Sequence, residues 1–359
     1  MINLTIQRIK SLAKSLPENS DGAIITSDTN RRYFTDLKSS AGVVLVFRDA
    51  SYLIVDFRYI EYANSTVKSC EVIEQKDLFN QINSLIAKHN AKIMSVESEN
   101  MTVSDMESYK KRLNCVLDIG NELSNTISQM RAVKDVTELT AISQAQGIAE
   151  KALLDTMDRL TVGITEREFA MLLDFTMLKM GAESVSFDTI ALFGTNTSKP
   201  HGEPSDYQLK KGDAILVDFG AVYNGYHSDM TRTFFFGAVS SSAKEIYEIV
   251  LNAQLSAIEK AAPGISCREL DAIARNIIEE NGYGDNFGHS LGHGVGLEIH
   301  ETPNCAPKSD YTLCENNVIT IEPGIYIPGR IGVRIEDFVA ITPSGNRNLT
   351  TFEKKLTVI

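Results

Sequence analysis

Asp218 and Asp229 lie on the two arms of AILVDFGAVYNGYHSDMTRTFFFG (214–237), a pair of β-rich runs joined by Asn224-Gly225. Asn-Gly favours a two-residue type I′ turn, because both central positions need φ > 0. Folded about that turn, Asp218 faces Thr231 and Gly220 faces Asp229. The two carboxylates then become diagonal neighbours on one face, with Cβ atoms roughly 7 Å apart. Anions so placed on an apolar hairpin repel each other unless a cation lies between them, which points to metal chemistry. NVITIEPGIYIPGRIGVRIEDFVAIT (317–342) repeats the theme. A three-residue loop centred on Gly329 sets Glu322 directly opposite Glu336, again a like-charge pair in need of a cation. A loop of different length would place the two on opposite faces, as ordinary solvated carboxylates. Their neighbours Ile319, Ile321, Ile335 and Val339 argue for a face that is at most partly exposed.

Histidines add nitrogen donors. Three of the six fall in GHSLGHGVGLEIHE (288–301), as His289, His293 and His300. Glycines 288, 292, 294 and 296 let backbone approach closely, which suits a ligand site better than a core strand. His201, in KPHGEPSD, precedes the first hairpin, where an active-site loop is expected. His227 falls on the opposite strand face from Asp229 and reads as structural. His89 ends a helical pattern and reads as a surface residue favoured by the helix dipole.

The elements that must position these groups form an α+β chain in two parts. GAIIT (22–26), GVVLVF (42–47), SYLIVD (51–56) and KIMSV (92–96) read as strands, and 77–89 and 103–113 as helices, giving a modest α/β domain over 1–125. From 126 to 359 the texture changes, and a long helix opens with Asp135 and Glu138 spaced as a cap. This second part contains a repeat. Gly163-Ile-Thr-Glu-Arg-Glu-Phe169 recurs as Gly264-Ile-Ser-Cys-Arg-Glu-Leu270, and Gly181 and Gly282 keep the same spacing. Thr165/Glu168 and Ser266/Glu269 are capping-box pairs that start a helix at the same point in each copy. Each copy has a helix upstream (137–160, 242–261) and a strand, a histidine-bearing loop and a hairpin downstream. Two such halves would close into one pseudo-twofold unit.

Composition narrows the class. The 359 residues carry 47 Asp+Glu against 35 Lys+Arg, net −12, which disfavours nucleic acid and anionic membranes as partners. Five scattered cysteines without CxxC spacing suggest neither a disulfide framework nor a thiolate zinc site, and favour a reducing compartment. MINLTIQRIKSLAKSL reads as a short amphipathic helix rather than a signal peptide or membrane span. A soluble, cytoplasmic protein is expected.

Taken together these segments resemble metallopeptidase family M24, which includes methionine aminopeptidase, aminopeptidase P and prolidase, and whose catalytic domain has the pita-bread fold. DFGAVYNGYHSDMTRTF resembles the family's two-aspartate hairpin, GHSLGHGVGLEIHE its histidine segment, and TIEPGIY with GVRIEDF its two glutamate strands. TNRRYFTDLKSSAGVVLVF followed by DFRYIEYA resembles the N-terminal domain of the proline-specific branch, which methionine aminopeptidases lack. The resemblance implies five metal ligands, Asp218, Asp229, His293, Glu322 and Glu336. They would hold two divalent ions about 4 Å apart that share a water and lower its pKa. Asp229 and Glu336 would touch both ions, with Asp218 on one side and His293 and Glu322 on the other. An oxygen-rich donor set suits manganese or cobalt, with zinc also compatible.

By the same resemblance, Glu322 would move the proton from that water to the leaving nitrogen. His201 and His300 would contact the substrate carbonyl and amine, and Phe187, His289 and Ile299 would line a compact slot for the prolyl ring. Arg334 would orient a carboxylate of either the metal shell or the substrate. One position departs from the pattern: HETPNC places Asn304 where prolidases often carry an arginine able to pair with a dipeptide's carboxylate. That tilts the expectation towards an Xaa-Pro aminopeptidase, with Xaa-Pro dipeptidase (prolidase) as the alternative. Further rivals are a metal-free binding module and a metal-free hydrolase on the same fold, as in creatinase, both of which should lack the acidic ligand set. A homodimer acting on small peptides completes what the resemblance implies.

Overall fold

The computed structural model describes residues 4–359, in two compact units that divide between Arg131 and Ala132. Met1–Asn3 of the expected N-terminal helix lie outside the described residues, and the helix runs over Leu4–Lys14. The first unit is built on a six-stranded mixed sheet. Its spatial order is Glu71–Glu74, Ser51–Val55, Val43–Phe47, Gly22–Ile25, Ile93–Val96, Val116–Asp118. The four expected strands form its centre, buried almost throughout. The two edges were not foreseen, since one is short and the other begins and ends on glutamate, so neither reads as an apolar run. His89 is not the surface residue expected. Its ring stacks on Phe47 at 4.3 Å, its Nε2 meets the Tyr52 hydroxyl at 2.8 Å and its Nδ1 meets Asp49 at 3.0 Å.

The second unit begins with the expected cap: Asp135 and Glu138 form a capping box at the head of Val136–Thr156. Thr165/Glu168 and Ser266/Glu269 do the same for Glu166–Lys179 and Cys267–Glu280. The repeat extends further than the short sequence match. Gly163 N–H donates to Leu209 O at 3.0 Å and Gly264 N–H to Leu313 O at 2.8 Å, each tying the helix entry to the strand that follows its half. Lys210 N–H donates to the Asp213 carboxylate and Cys314 N–H to the Asn317 side-chain oxygen, the same turn at the same place. Those turns launch Ala214–Phe219 and Val318–Ile321, the strands that lead to Asp218 and Glu322.

Both hairpin registers are as expected. Asn224 and Gly225 have φ of 50° and 81°, and Asp218 pairs with Thr231 and Phe219 with Met230. Gly220 admits the tight crossing there, since a Cβ would lie 1.9 Å from Ser228 O. In the second hairpin Gly324 pairs with Arg334 and Ile321 with Asp337, so Glu322 and Glu336 occupy facing positions between two ladders. Neither continues its own ladder. Glu322 N–H donates to Leu291 O and Glu336 N–H to Thr231 O, so the chain changes partners at the two glutamates. Separate apolar cores lie behind the two halves, one under helices 136–156 and 166–179, the other under Ser241–Lys260 and Cys267–Glu280. Cys267 and Cys305, distant in sequence, meet there with sulfurs 3.4 Å apart, and no disulfide forms among the described residues.

A buried ion pair locks the hairpins together. Arg232 donates to Asp337 at 2.7 Å and to the carbonyls of Thr231, Glu336 and Phe352, while Lys354 and Asn348 also donate to Asp337. Burial alone would raise the Asp337 carboxyl, but Arg232 and Lys354 outweigh it and hold it below the usual aspartate range. Replacing Asp337 by Asn strands the buried Arg232 cation and takes a partner from the half-buried Lys354, and should cost about 3–5 kcal/mol at neutral pH. A depressed folded pKa contributes stability above the unfolded value near 3.9 and loses it as pH falls through the folded value. The gap between variant and wild type in urea titrations should therefore close only on acidification below about pH 4. A gap that stays constant down to pH 3 would contradict this.

Candidate metal centre

The two crossings bring Asp218, Asp229, Glu322 and Glu336 to the floor of one cavity of about 740 Å³. His201, His289, His293, His300, Phe187, Ile299 and Arg334 also line it, so every residue singled out for the site from sequence reaches the same space. His227 does not line it and contacts Ser186 at 2.8 Å, as a structural residue should.

His293 sits on Gly292–Gly294, a short strand between Glu301–Cys305 and Val318–Ile321. Cβ atoms at Gly292 and Gly294 would lie 2.0 and 2.4 Å from the Thr320 and Thr302 carbonyls, so only glycines allow the strand in. Gly288, by contrast, has open space around it and meets no such demand. His293 Nδ1–H donates to Gly294 O at 3.1 Å, which leaves Nε2 a bare lone pair. That lone pair points at carboxylate oxygens, 3.4 Å from Glu322 and 3.6 Å from Asp229. Burial pulls the imidazole down to about 4, so it carries no proton to offer them at neutral pH. With the acids ionised, acceptors face acceptors at this range, a repulsion that a cation between them relieves and that otherwise favours their protonated forms.

The carboxylates tell the same story. Burial, then repulsion from the neighbouring carboxylates, pushes Asp229 and Glu336 well above the usual range, and burial pushes Glu322 up to about 8. Asp218 Oδ1 and Glu336 Oε1 are buried with no hydrogen-bond partner. Ligand atoms of Asp229, His293 and Glu336 lie within 4.8 Å of one another. Orphaned oxygens, a bare imidazole nitrogen and an oxygen-rich donor set fit divalent cations.

Sequence did not single out the threonines that aim the ligands. Thr231 Oγ1 donates to Glu336 at 2.7 Å, and Thr320 contacts Glu322 while accepting the His293 N–H. Thr231 had a signal, since the hairpin register places it directly across from Asp218. Of the two roles open to Arg334, its hydrogen bonds support the first. It donates to Asp218, to Thr231 at 3.0 Å, to the Tyr326 hydroxyl at 2.7 Å and to Pro200 O. Tyr326 in turn meets His289 Nε2 at 3.1 Å, and burial holds its phenol up at about 12. At the wall, Glu301 pairs with Lys134 at 2.7 Å, both side chains buried.

No helix among the described residues is long and apolar enough to cross a membrane. Residues 140–343 match the model of metallopeptidase family M24, and residues 8–133 match the Creatinase/Prolidase N-terminal domain. The sequence is 40% identical to an Xaa-Pro dipeptidase of Pyrococcus furiosus over 98% of this chain and 99% of that protein. The fold superposes on an Xaa-Pro dipeptidase from Bacillus anthracis with a TM-score of 0.96 at 36% identity, covering 99% and 100% of the two chains. It superposes on an X-Pro aminopeptidase from Thermotoga maritima with a TM-score of 0.89 at 37% identity, covering 97% and 99%. The chain belongs to metallopeptidase family M24: it is a metal-dependent hydrolase whose pita-bread catalytic domain follows a Creatinase/Prolidase N-terminal domain.

Proposed function

We propose that this chain is an Xaa-Pro dipeptidase. The observation that carries a proline-specific hydrolase is the convergence of four carboxylates and His293 Nε2 on the floor of a cavity walled by Phe187, His289 and Ile299. The dipeptidase reading draws on relatives of that name matched over their full length. It reverses the tilt that Asn304 gave towards an aminopeptidase. A single uncharged side chain is a weaker argument than similarity along the whole chain.

Asp218, Asp229, His293, Glu322 and Glu336 would hold two divalent cations, manganese or cobalt by donor type with zinc also compatible. When bound, these supply Lewis acidity that brings the pKa of a water towards neutrality and polarises the scissile carbonyl. The remaining work falls to side chains. Glu322, on the cavity floor, takes the proton of the attacking water and delivers it to the imide nitrogen as that nitrogen leaves. His300 and His201 stand at the exposed rim and donate to the substrate carbonyl and amine. Burial keeps the His300 pKa below its usual value, so it acts as a neutral donor. Phe187, His289 and Ile299 take the prolyl ring, whose tertiary amide has no N–H to satisfy. Arg334 is fully engaged and serves Asp218 rather than a substrate carboxylate.

The aminopeptidase reading stays as the second one, because Asn304 lines the cavity and offers no cation for a dipeptide's terminus. Kinetics with manganese or cobalt on Xaa-Pro and Xaa-Pro-Yaa substrates separates the two. The dipeptide should be favoured at least about tenfold in kcat/KM. Strong tripeptide cleavage with poor dipeptide turnover would reinstate the aminopeptidase. A homodimer belongs to this reading, and sedimentation at micromolar concentration checks it.

A further inference from the structure

Between the turn Gly284–Asn286 and the strand Gly292–Gly294 the chain belongs to no helix or sheet, yet it carries His289 into the cavity. What holds it is the neighbouring helix Cys267–Glu280. Asp271 and Arg275 stand one helical turn apart on its inner side, with Asp271 only 1% exposed. Arg275 Nε and Nη2 donate to the two Asp271 oxygens at 2.7 and 2.9 Å. The same guanidinium reaches Phe287 O at 2.9 Å through Nη1 and His289 O at 2.8 Å through Nη2. Asp271 Oδ1 accepts the Leu291 N–H at 3.0 Å, and the guanidinium lies 4.3 Å over the Phe287 ring. The Phe287 and His289 carbonyls both lie within reach of one guanidinium, and a planar fork can grip both where an ammonium could not. An ion pair one turn apart on a helix contributes little by itself. Here its remaining hydrogen-bonding capacity is directed at the backbone on either side of one cavity residue.

The held residue is coupled onward. His289 Nδ1–H donates to Ser290 O at 2.8 Å, leaving Nε2 to accept from Tyr326, whose oxygen accepts from Arg334. We infer that Asp271 and Arg275 are positioning residues for the substrate pocket: as a backbone clamp they fix where His289 stands, and with it the slot that receives the prolyl ring. This rests on the Xaa-Pro reading proposed above. Neither residue touches substrate, so the clamp acts through binding rather than through the chemical step.

The test uses the full-length protein as Arg275→Lys, His289→Phe and the double variant. Lysine can stay with Asp271 but cannot span both carbonyls. KM for an Xaa-Pro dipeptide and the dissociation constant of free proline, measured by calorimetry, should both rise about tenfold, with kcat within about threefold of wild type. Backbone amide exchange should quicken over 287–293 and stay at wild-type rates in the strands of the first hairpin. In the double variant the proline constant should equal that of His289→Phe alone, because Arg275 then has nothing left to position. Additive effects, an unchanged proline constant, or a kcat loss that tracks the folded fraction would overturn the clamp. A wild type that binds proline but leaves Xaa-Pro uncleaved would sink the functional reading instead, with binding and exchange still deciding the clamp. A wild type that binds no proline would sink the clamp's role in the pocket.

Discussion

Glu336→Gln is expected to lower kcat/KM by at least about a thousandfold while leaving the metal-free protein as stable as the wild type or more so. Glu336 is buried, receives Thr231 Oγ1 on one oxygen and has no partner on the other. An amide in its place must either turn its NH₂ towards the cations or lose the bond from Thr231, and both outcomes spoil the ligand. The same change removes one anion from a cluster whose members already repel each other, as the raised Asp229 and Glu336 carboxyls record. Activity and metal-free stability should thus move in opposite directions, a pattern that ordinary misfolding cannot imitate. Calorimetry in chelator should show a midpoint unchanged or raised by a few degrees, beside steady-state kinetics with metal restored. A midpoint lowered by ten degrees, or activity within tenfold of wild type, would contradict the assignment.

Arg334→Met is expected to damage both properties. Arg334 brings the positive charge that faces the four carboxylates, and it reaches Asp218, Thr231, Tyr326 and Pro200 O at once. Removing it leaves buried anions uncompensated, a loss of about 3–5 kcal/mol in the metal-free state. For a chain of this size that is on the order of 10 °C in melting midpoint. Divalent metal should restore part of that loss, because cations then take over the compensation. Activity should stay at least a hundredfold down even with metal, since Asp218 has lost the fork that aims it. Lysine should not rescue, having one ammonium for acceptors spread on several sides. Melting curves with and without manganese, alongside kcat/KM, decide the matter. Equal midpoints for variant and wild type in chelator would rule out the compensating role.

How much of this was legible in the sequence depends on how local each feature is. Asn224-Gly225 is a short-range signal that set the register of the first hairpin, whereas at Gly329 loop length left the face of the second acidic pair open, and the three-residue loop is the one found. The capping boxes at Thr165 and Ser266 are equally local, and they revealed the repeat. What local pattern could not supply was the meeting of the two hairpins, in which Glu336 N–H turns to Thr231 O and Glu322 N–H to Leu291 O. The choice among three clustered histidines belonged to the same class. Only the Gly294 carbonyl, which takes His293 Nδ1–H, leaves that Nε2 facing the acids. Long-range partners such as Arg232 with Asp337, Cys267 with Cys305 and Arg275 with the 287–291 backbone leave no periodic trace, and Thr320, unlike Thr231, had no register to mark it. His89 was misread for the same reason, because stacking on Phe47 is a tertiary contact. Asn304 tilted the reading slightly towards an aminopeptidase, and the proposed dipeptidase reading sets against that one side chain the similarity along the whole chain.

The most direct test of the central claim is the metal content of the purified, reloaded protein, measured by elemental analysis for the wild type and for Glu336→Gln. Convergence of Asp218, Asp229, His293, Glu322 and Glu336 requires two divalent ions per wild-type chain, at least one of them lost from the variant. A wild type that holds none after reloading, or a variant that keeps both, would contradict the account.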